Sequence, residues 1–280
     1  MRFWFSLLIL LVWLLLAIGG AWWPLHPNHI ELTHILAPPD GGAWLGYDDL
    51  GRPLWDRLAV GARYSLLVAA SVVSISLLVG TLLGAMSAYV GGWMDHVVVR
   101  IIDIFLAFPG ILLAIALAGL LGPGLNNVVI ALSIVGWVGF ARLSRAQVLS
   151  LKNREHVQAA QMLGAGRWRI VTRHLLPLIA APLIVEATFA VAGIVIAEAG
   201  LSFLGLGIQP PTPSWGSMIR EGTRYMLVSV HMVLVPGLSL MLVVLAVNMM
   251  GDYLRDYLDV RDVDTAGKGI LQQDATPEEQ

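Results

Sequence analysis

Residues 66–90 read LLVAASVVSISLLVGTLLGAMSAYV, a stretch with no charged position and rich in Leu, Val and small residues. A helix needs about 20 apolar residues to cross the ~30 Å hydrocarbon core of a bilayer. In lipid, only helices and closed barrels satisfy every backbone polar group internally. The stretch therefore predicts a transmembrane helix. Gly80 and Gly84 within it form a GxxxG pattern, which lets a second helix backbone approach closely.

Five further apolar runs flank it: Phe3 to Trp23, Ile101 to Leu121, Val128 to Leu149, Leu178 to Leu206 and Val228 to Met250. The expected fold is an all-α membrane protein with six transmembrane helices. Composition agrees: 57% of the 280 residues are hydrophobic and 13% are charged, against about a quarter charged in soluble domains. A secretory signal is the rival reading of the first run, but its apolar core spans only about 7–15 residues. This run is longer and ends in Trp22-Trp23-Pro24, an aromatic belt at the membrane interface. The chain has no cysteine and a formal charge of −2. That excludes disulfides, thiol catalysis and cysteine-bound zinc, and leaves no global basic signal for nucleic acid.

Basic residues set the orientation. The loop between the fourth and fifth runs carries Arg142, Arg145, Lys152, Arg154, Arg167, Arg169 and Arg173 against Glu155. Placing it in the cytoplasm puts both termini there, with twelve of the seventeen Lys and Arg inside and five outside. The expected organisation is a first span over 1–23 and an external segment over 24–64. A five-helix core over 65–258 follows, with a cytoplasmic loop at 150–177 and an external loop at 207–227, and then a disordered cytoplasmic tail over 259–280. In the external segment, Pro53 to Ala59 has the pattern of a short amphipathic helix with proline at its first position. In the cytoplasmic loop, Glu155 to Leu163 favours helix, Gly164-Ala165-Gly166 breaks it, and Arg167 to Leu176 can form a second short helix. Such a bent pair either docks in a groove on a partner or lies at the membrane interface.

The sequence Gln158-Ala159-Ala160, then Gly164, then Leu176-Pro177 resembles the conserved cytoplasmic loop of binding-protein-dependent ABC importer permeases. Glu198-Ala-Gly-Leu-Ser-Phe-Leu-Gly-Leu-Gly207 and Pro210-Pro-Thr-Pro-Ser-Trp-Gly216 resemble the dipeptide/oligopeptide/nickel branch of that family. So do Leu45 to Arg52, Gly61 to Leu66 and Asn248 to Asp256. The resemblance covers nearly the whole chain and is to the C-type permease of the branch. It implies a type I importer permease fold in the bacterial inner membrane and import of di- or oligopeptides, with nickel or metal-chelate import as the alternative. Implied partners are a second, related permease, two ATP-binding-cassette ATPases and an external substrate-binding protein. ATP and Mg would be bound by those ATPases, and no cofactor by this chain; no Gly-Lys-Ser/Thr phosphate loop is present. Gln158, Ala159, Ala160, Leu163, Gly164, Ala165 and Gly166 would form the ATPase-coupling element. Gln158 and His174 depart from the family pattern, where glutamate and isoleucine are common; so do Tyr47, Pro53 and Asp56, where Thr, Asp and Ser are usual.

Ionisable residues at membrane depth are costly and mark pathways or partner contacts. Glu186 is the candidate pathway residue, suited to the cationic amino terminus of a peptide; a contact to the second permease and a buried protonated acid are the other readings. Glu198 and Ser202 are candidates nearer the external end, with Glu198 about 120° around the helix from Glu186. Asp103 and Arg100 are expected to pair. Asp48, Asp49, Arg52, Arg57, Arg220, Glu221 and Arg224 are the charges available to a delivery protein. His26, His29 and His34 with Glu31 offer nickel or zinc ligands, although the proline content of the segment and its lack of fixed helical spacing favour solvated histidines. Ser202 with His231 as base is the enzymatic reading, and an ion-driven transporter the other alternative; the expectation is a non-catalytic subunit.

Overall fold

The computed structural model describes the backbone of residues 2–19, 22–39 and 43–273, with side chains as far as Leu258. Ten α-helices occur among the described residues, with no β-strand and only an isolated bridge between Tyr47 and Pro53. They are α1 (Arg2–Gly19), α2 (Leu54–Val90), α3 (Gly92–Leu106), α4 (Gly110–Leu121), α5 (Leu125–Leu151), α6 (Glu155–Met162), α7 (Arg167–Ile170), α8 (Ala180–Phe203), α9 (Trp215–Thr223) and α10 (His231–Gln273). Four helical stretches are long and apolar enough to cross a bilayer: Leu54–Val90, Leu125–Leu151, Arg167–Phe203 and His231–Leu258. The pair α3 and α4, bent by 88°, makes a fifth, and α1 contributes a shorter apolar helix over Phe3–Gly19.

The stretch at 66–90 lies in the middle of the bundle. Along it, α2 packs closely on α5, and the GxxxG pattern is the contact. A Cβ on Gly80 would meet Trp137 O and one on Gly84 would meet Ala141 O, so only hydrogen lets these backbones come this close. On another face, α1, α2, α8, α9 and α10 share a core of Trp13, Leu54, Leu58, Ala192, Val195, Trp215, Met232 and Val243. Phe3 rests on Tyr253, with ring centroids 4.5 Å apart, and Trp13 rests on Trp215 at 6.5 Å. These contacts run α1 antiparallel to α10.

Three expectations change. The external amphipathic helix is not separate: Pro53 stands at the N-cap position of α2, and the helix runs unbroken from Leu54, passing through Gly61 where it packs against Trp215. The third run is broken at Ala107–Pro109, where the residue before proline is forced out of the α region. Finally, α10 continues as helix to Gln273, through most of the segment expected to be disordered; residues 274–280 lie outside the described part.

Candidate functional site

At one end of the bundle, α6 and α7 form a compact elbow. Its inner face consists of Val157, Ala160, Ile170, Val171 and Leu175, all buried against Ala85 and Ala88 of α2 and Val148 and Leu151 of α5. Polar bonds hold the base. Lys152 Nζ donates to Ala88 O at the end of α2 (3.1 Å), and Gln161 Nε2 donates to Tyr89 OH (2.9 Å). Gly164, at φ +79°, turns the chain between the helices, a conformation that costs glycine least. The second helix of the pair is a single α-turn, Arg167–Ile170. It continues as a π-turn over Val171–Leu175 and a 3-10 turn over Leu176–Ile179, where Pro177 removes an amide donor. The tip points outward: Met162 is 90% and Leu163 88% exposed, and Gln158 and Ala159 are exposed beside them.

At the opposite end, an ion network joins three segments. Asp48 accepts from the amides of Leu50 and Arg52 (both 2.9 Å) and from Arg52 Nε (2.6 Å), while Arg57 Nε of α2 lies 3.3 Å away. Glu221 of α9 accepts from Arg57 Nη2 at 2.8 Å and Arg52 Nη2 at 3.4 Å. Burial pushes the Glu221 carboxyl up, against the pull of Arg57 and Arg52. Nearby, Trp215 Nε1 donates to Leu58 O (3.0 Å), and Ser214 and Ser217 form a reciprocal cap on α9. Deeper in the bundle, Glu198 is buried and accepts from Ser202 Oγ (2.7 Å) and Ser65 Oγ of α2 (3.2 Å). The loop after α8 folds back on this cluster: a Cβ on Gly207 would strike Ser202, and one on Gly216 would strike Ala199 O.

Beside the elbow, α5, α8 and α10 line an open cavity of about 1000 Å³ whose lining includes Gln147, Arg154, Pro177, Glu186, Phe189 and Arg255.

The sequence pattern of the family "Binding-protein-dependent transport system inner membrane component" matches residues 80–261, from the GxxxG contact through the elbow to α10. The chain belongs to that family. It is 46% identical over 224 residues to the dipeptide transport system permease protein DppC of Alkalihalophilus pseudofirmus, covering 80% of this chain and 74% of the relative. It is 43% identical over 261 residues to the di/tripeptide transport system permease protein DppC of Pseudomonas aeruginosa, covering 91% and 86%. It is 40% identical over 254 residues to the glutathione transport system permease protein GsiD of Pectobacterium atrosepticum, covering 89% and 84%. The chain is thus an ABC transport permease of the bacterial inner membrane.

In this permease the predicted residues fall in distinct places. Gln158, Ala159, Leu163, Gly164 and Gly166 lie on the open side of the elbow, whereas Ala160 is buried in its base and Ala165 packs against that base. Gln158 Nε2 donates to Asn153 O at 3.1 Å, a bond the usual glutamate cannot make as a carboxylate. Glu186 lines the cavity, but Glu198 and Ser202 do not; they are buried where α2 meets α8 and serve to join the two helices. Asp48, Arg52 and Arg57 are likewise buried in the ion network and are not surface available to a delivery protein, because each charge is matched inside the chain. Of that group, Arg220 and Arg224 are exposed and Asp49 and Glu221 partly so.

The Arg100–Asp103 pair does not form: both are exposed, and the ion pair at this end joins Arg145 to Asp95 through two bonds of 2.7 and 2.8 Å. Among the described residues, His26, His29, His34 and Glu31 do not gather as metal ligands. His34 stacks on Tyr47 and pairs with Glu31 at 3.3 Å, while His26 and His29 are exposed. Ser202 is bonded to Glu198 and His231 Nε2 to Tyr47 O (3.1 Å), so these two groups form no nucleophile–base pair. Ser65, Asp95 and Arg255 escaped the sequence reading. Ser65 has no local signature, and Asp95, in the first turn of α3, is 50 residues from its partner Arg145 in α5, so neither contact could be read from neighbouring positions.

Proposed function

We propose that this chain is the C-type permease of an ATP-driven importer for di- and oligopeptides. In this reading α1, α2, the bent α3–α4 pair, α5, α8 and α10 are its six spans, and both termini are cytoplasmic. The elbow is the ATPase-coupling element. The observation that carries this is the pair Met162 and Leu163, two large apolar side chains about nine-tenths exposed on a base that is fully packed. A patch of this kind marks an interaction surface. The basic side chains around it support a cytoplasmic position by the positive-inside bias, on the side of the ATPases. Because its base is fixed to α2 and α5, movement of the tip carries those helices with it.

A second, related permease completes the pathway, two ATPases bind ATP and Mg, and an external binding protein delivers cargo. The chain itself performs no catalysis. Relatives named for dipeptide, di/tripeptide and glutathione transport support peptides as the cargo over nickel. The test is reconstitution of both permeases, the ATPases and the binding protein in proteoliposomes. Dipeptide uptake should require ATP hydrolysis; uptake without nucleotide, or uptake of nickel but not of peptides, would overturn the reading.

A further inference from the structure

Trp13 and Ala17 of α1 share a core with Leu54 and Leu58 in the first turns of α2, so these stretches stand at one level. On the outer side of α1 at that level, Leu14, Leu15 and Ile18 are exposed, a face that suits lipid tails, which are as apolar as leucine. The amides of Trp22 and Trp23 donate back to Gly19 O at 2.8 and 3.0 Å. Both tryptophans are thereby held where the apolar helix stops, the depth at which headgroups begin and tryptophan is enriched.

At this level Trp23, Trp44 and Trp55 line a cavity of about 470 Å³ together with Pro24, Pro53 and Asp56. Trp44 is 83% exposed, on a segment tied to α2 by the Leu54 amide, which donates to Gly46 O at 3.0 Å. The His26 amide donates to Asp56 Oδ2 at 2.8 Å and ties the segment after Trp23 to the first turn of the same helix. Among the described residues, Asp56 is the one charge lining the cavity, and no other donor reaches it. Arg57, the next residue, is turned into the buried ion network and paired with Asp48 and Glu221.

We infer that this cavity is a headgroup site for a membrane lipid that ends in a primary ammonium, an ethanolamine phospholipid, with the indole rings around the cation and Asp56 Oδ1 accepting one of its hydrogens. Tryptophan is the side chain that attracts a cation best, and a carboxylate adds a charge-assisted hydrogen bond. A primary ammonium brings three donors, as lysine does, whereas a quaternary ammonium brings none. Asp56 therefore selects ethanolamine over choline. The site would fasten the end of α1 and the start of α2 to the bilayer surface. It depends on the chain's place in a membrane and not on which cargo the permease carries.

The test uses the purified complex of this chain with its partner subunits, equilibrated with equal amounts of phosphatidylethanolamine and phosphatidylcholine of the same acyl chains. Native mass spectrometry reads the tightest-bound lipid. The wild type should prefer phosphatidylethanolamine by about fivefold. Asp56→Asn keeps an acceptor for the His26 amide and Trp44→Ala removes an exposed ring, so both should fold with an unchanged melting temperature and lose most of the preference, while Trp44→Phe should keep most of it. A water-soluble carbodiimide, which joins a carboxylate to an amine lying against it, should add phosphatidylethanolamine to Asp56 of the wild type and not to the exposed Glu31. Equal retention of the two lipids by the wild type, a preference untouched by Asp56→Asn and Trp44→Ala, or an Asp56 adduct no more abundant than that at Glu31 would overturn the site. Loss of the Asp56 adduct on adding millimolar dialanine would assign the cavity to a peptide ammonium and overturn the lipid site as well.

Discussion

At the scale of single residues, glycine and paired charge decide what the chain tolerates. Gly84 sits against Ala141 O and has no slack, whereas Gly119 of α4 has nothing near its missing Cβ. Gly84→Leu should therefore cost about 3 kcal/mol, the upper end of ordinary overpacking, and remove folded permease from the membrane. Gly119→Ala should be neutral or slightly stabilising, since alanine favours helix. Fluorescence-detected size exclusion of the two variants checks this, and equal behaviour would be contrary to it. Arg57 is the second case. Removing one partner of a buried ion pair costs about 3–5 kcal/mol, because the remaining charge is stranded. Arg57→Ala leaves Glu221 and Asp48 short of a cation and should lower the melting temperature of the purified complex by several degrees, whereas Arg224→Ala, on the exposed side, should not. The GxxxG contact was legible in sequence because its chemistry is local. The ion network was not: Glu221 lies more than 160 residues from Arg57, so a solvated charge and a buried partner look identical in the chain.

At the scale of elements, the elbow divides into a packed base and an open tip, and the two should respond differently. Val157→Asp buries an unpaired carboxylate in the contact with α2 and α5 and should abolish folding, at a cost of several kcal/mol. Met162→Ser with Leu163→Ser touches nothing in the chain and should leave the melting temperature unchanged, yet abolish copurification of the ATPases and their peptide-stimulated hydrolysis. Retained ATPase binding in that double variant would show that the tip is not the docking surface. The elbow's first helix and its glycine turn were readable because propensity and a breaker act over a few residues. Its second half became a mixture of α, π and 3-10 turns, since Pro177 and the packing of Leu175 and Ile179 override local preference. The broken third run follows the same logic in reverse: Pro109 marked the break, but an apolar run long enough to cross a membrane concealed it.

At the scale of the whole molecule, the permease has a buried ion network at one end, an elbow at the other and a cavity beside the elbow. The ion network and α9 close one end, the elbow caps the other, and α2 connects both across its 37 residues. Hydrophobic length predicted this all-helical plan, because lipid leaves the backbone so few options. Which faces turn inward was not predictable from length, and so Glu198 and Ser202 were placed on a path when they bind α2 to α8. The account depends on an outward-facing apolar tip held by an ATPase, and the chain's lack of cysteine allows a direct measurement. Leu163→Cys is the single thiol, and each ATPase can carry one cysteine in turn along its surface groove, in a complex that still imports peptide. The account predicts a disulfide crosslink from position 163 to an ATPase groove cysteine, with uptake stopped when it forms and restored when it is reduced. An importing complex in which position 163 reacts freely with a soluble maleimide and crosslinks to no ATPase position would contradict it.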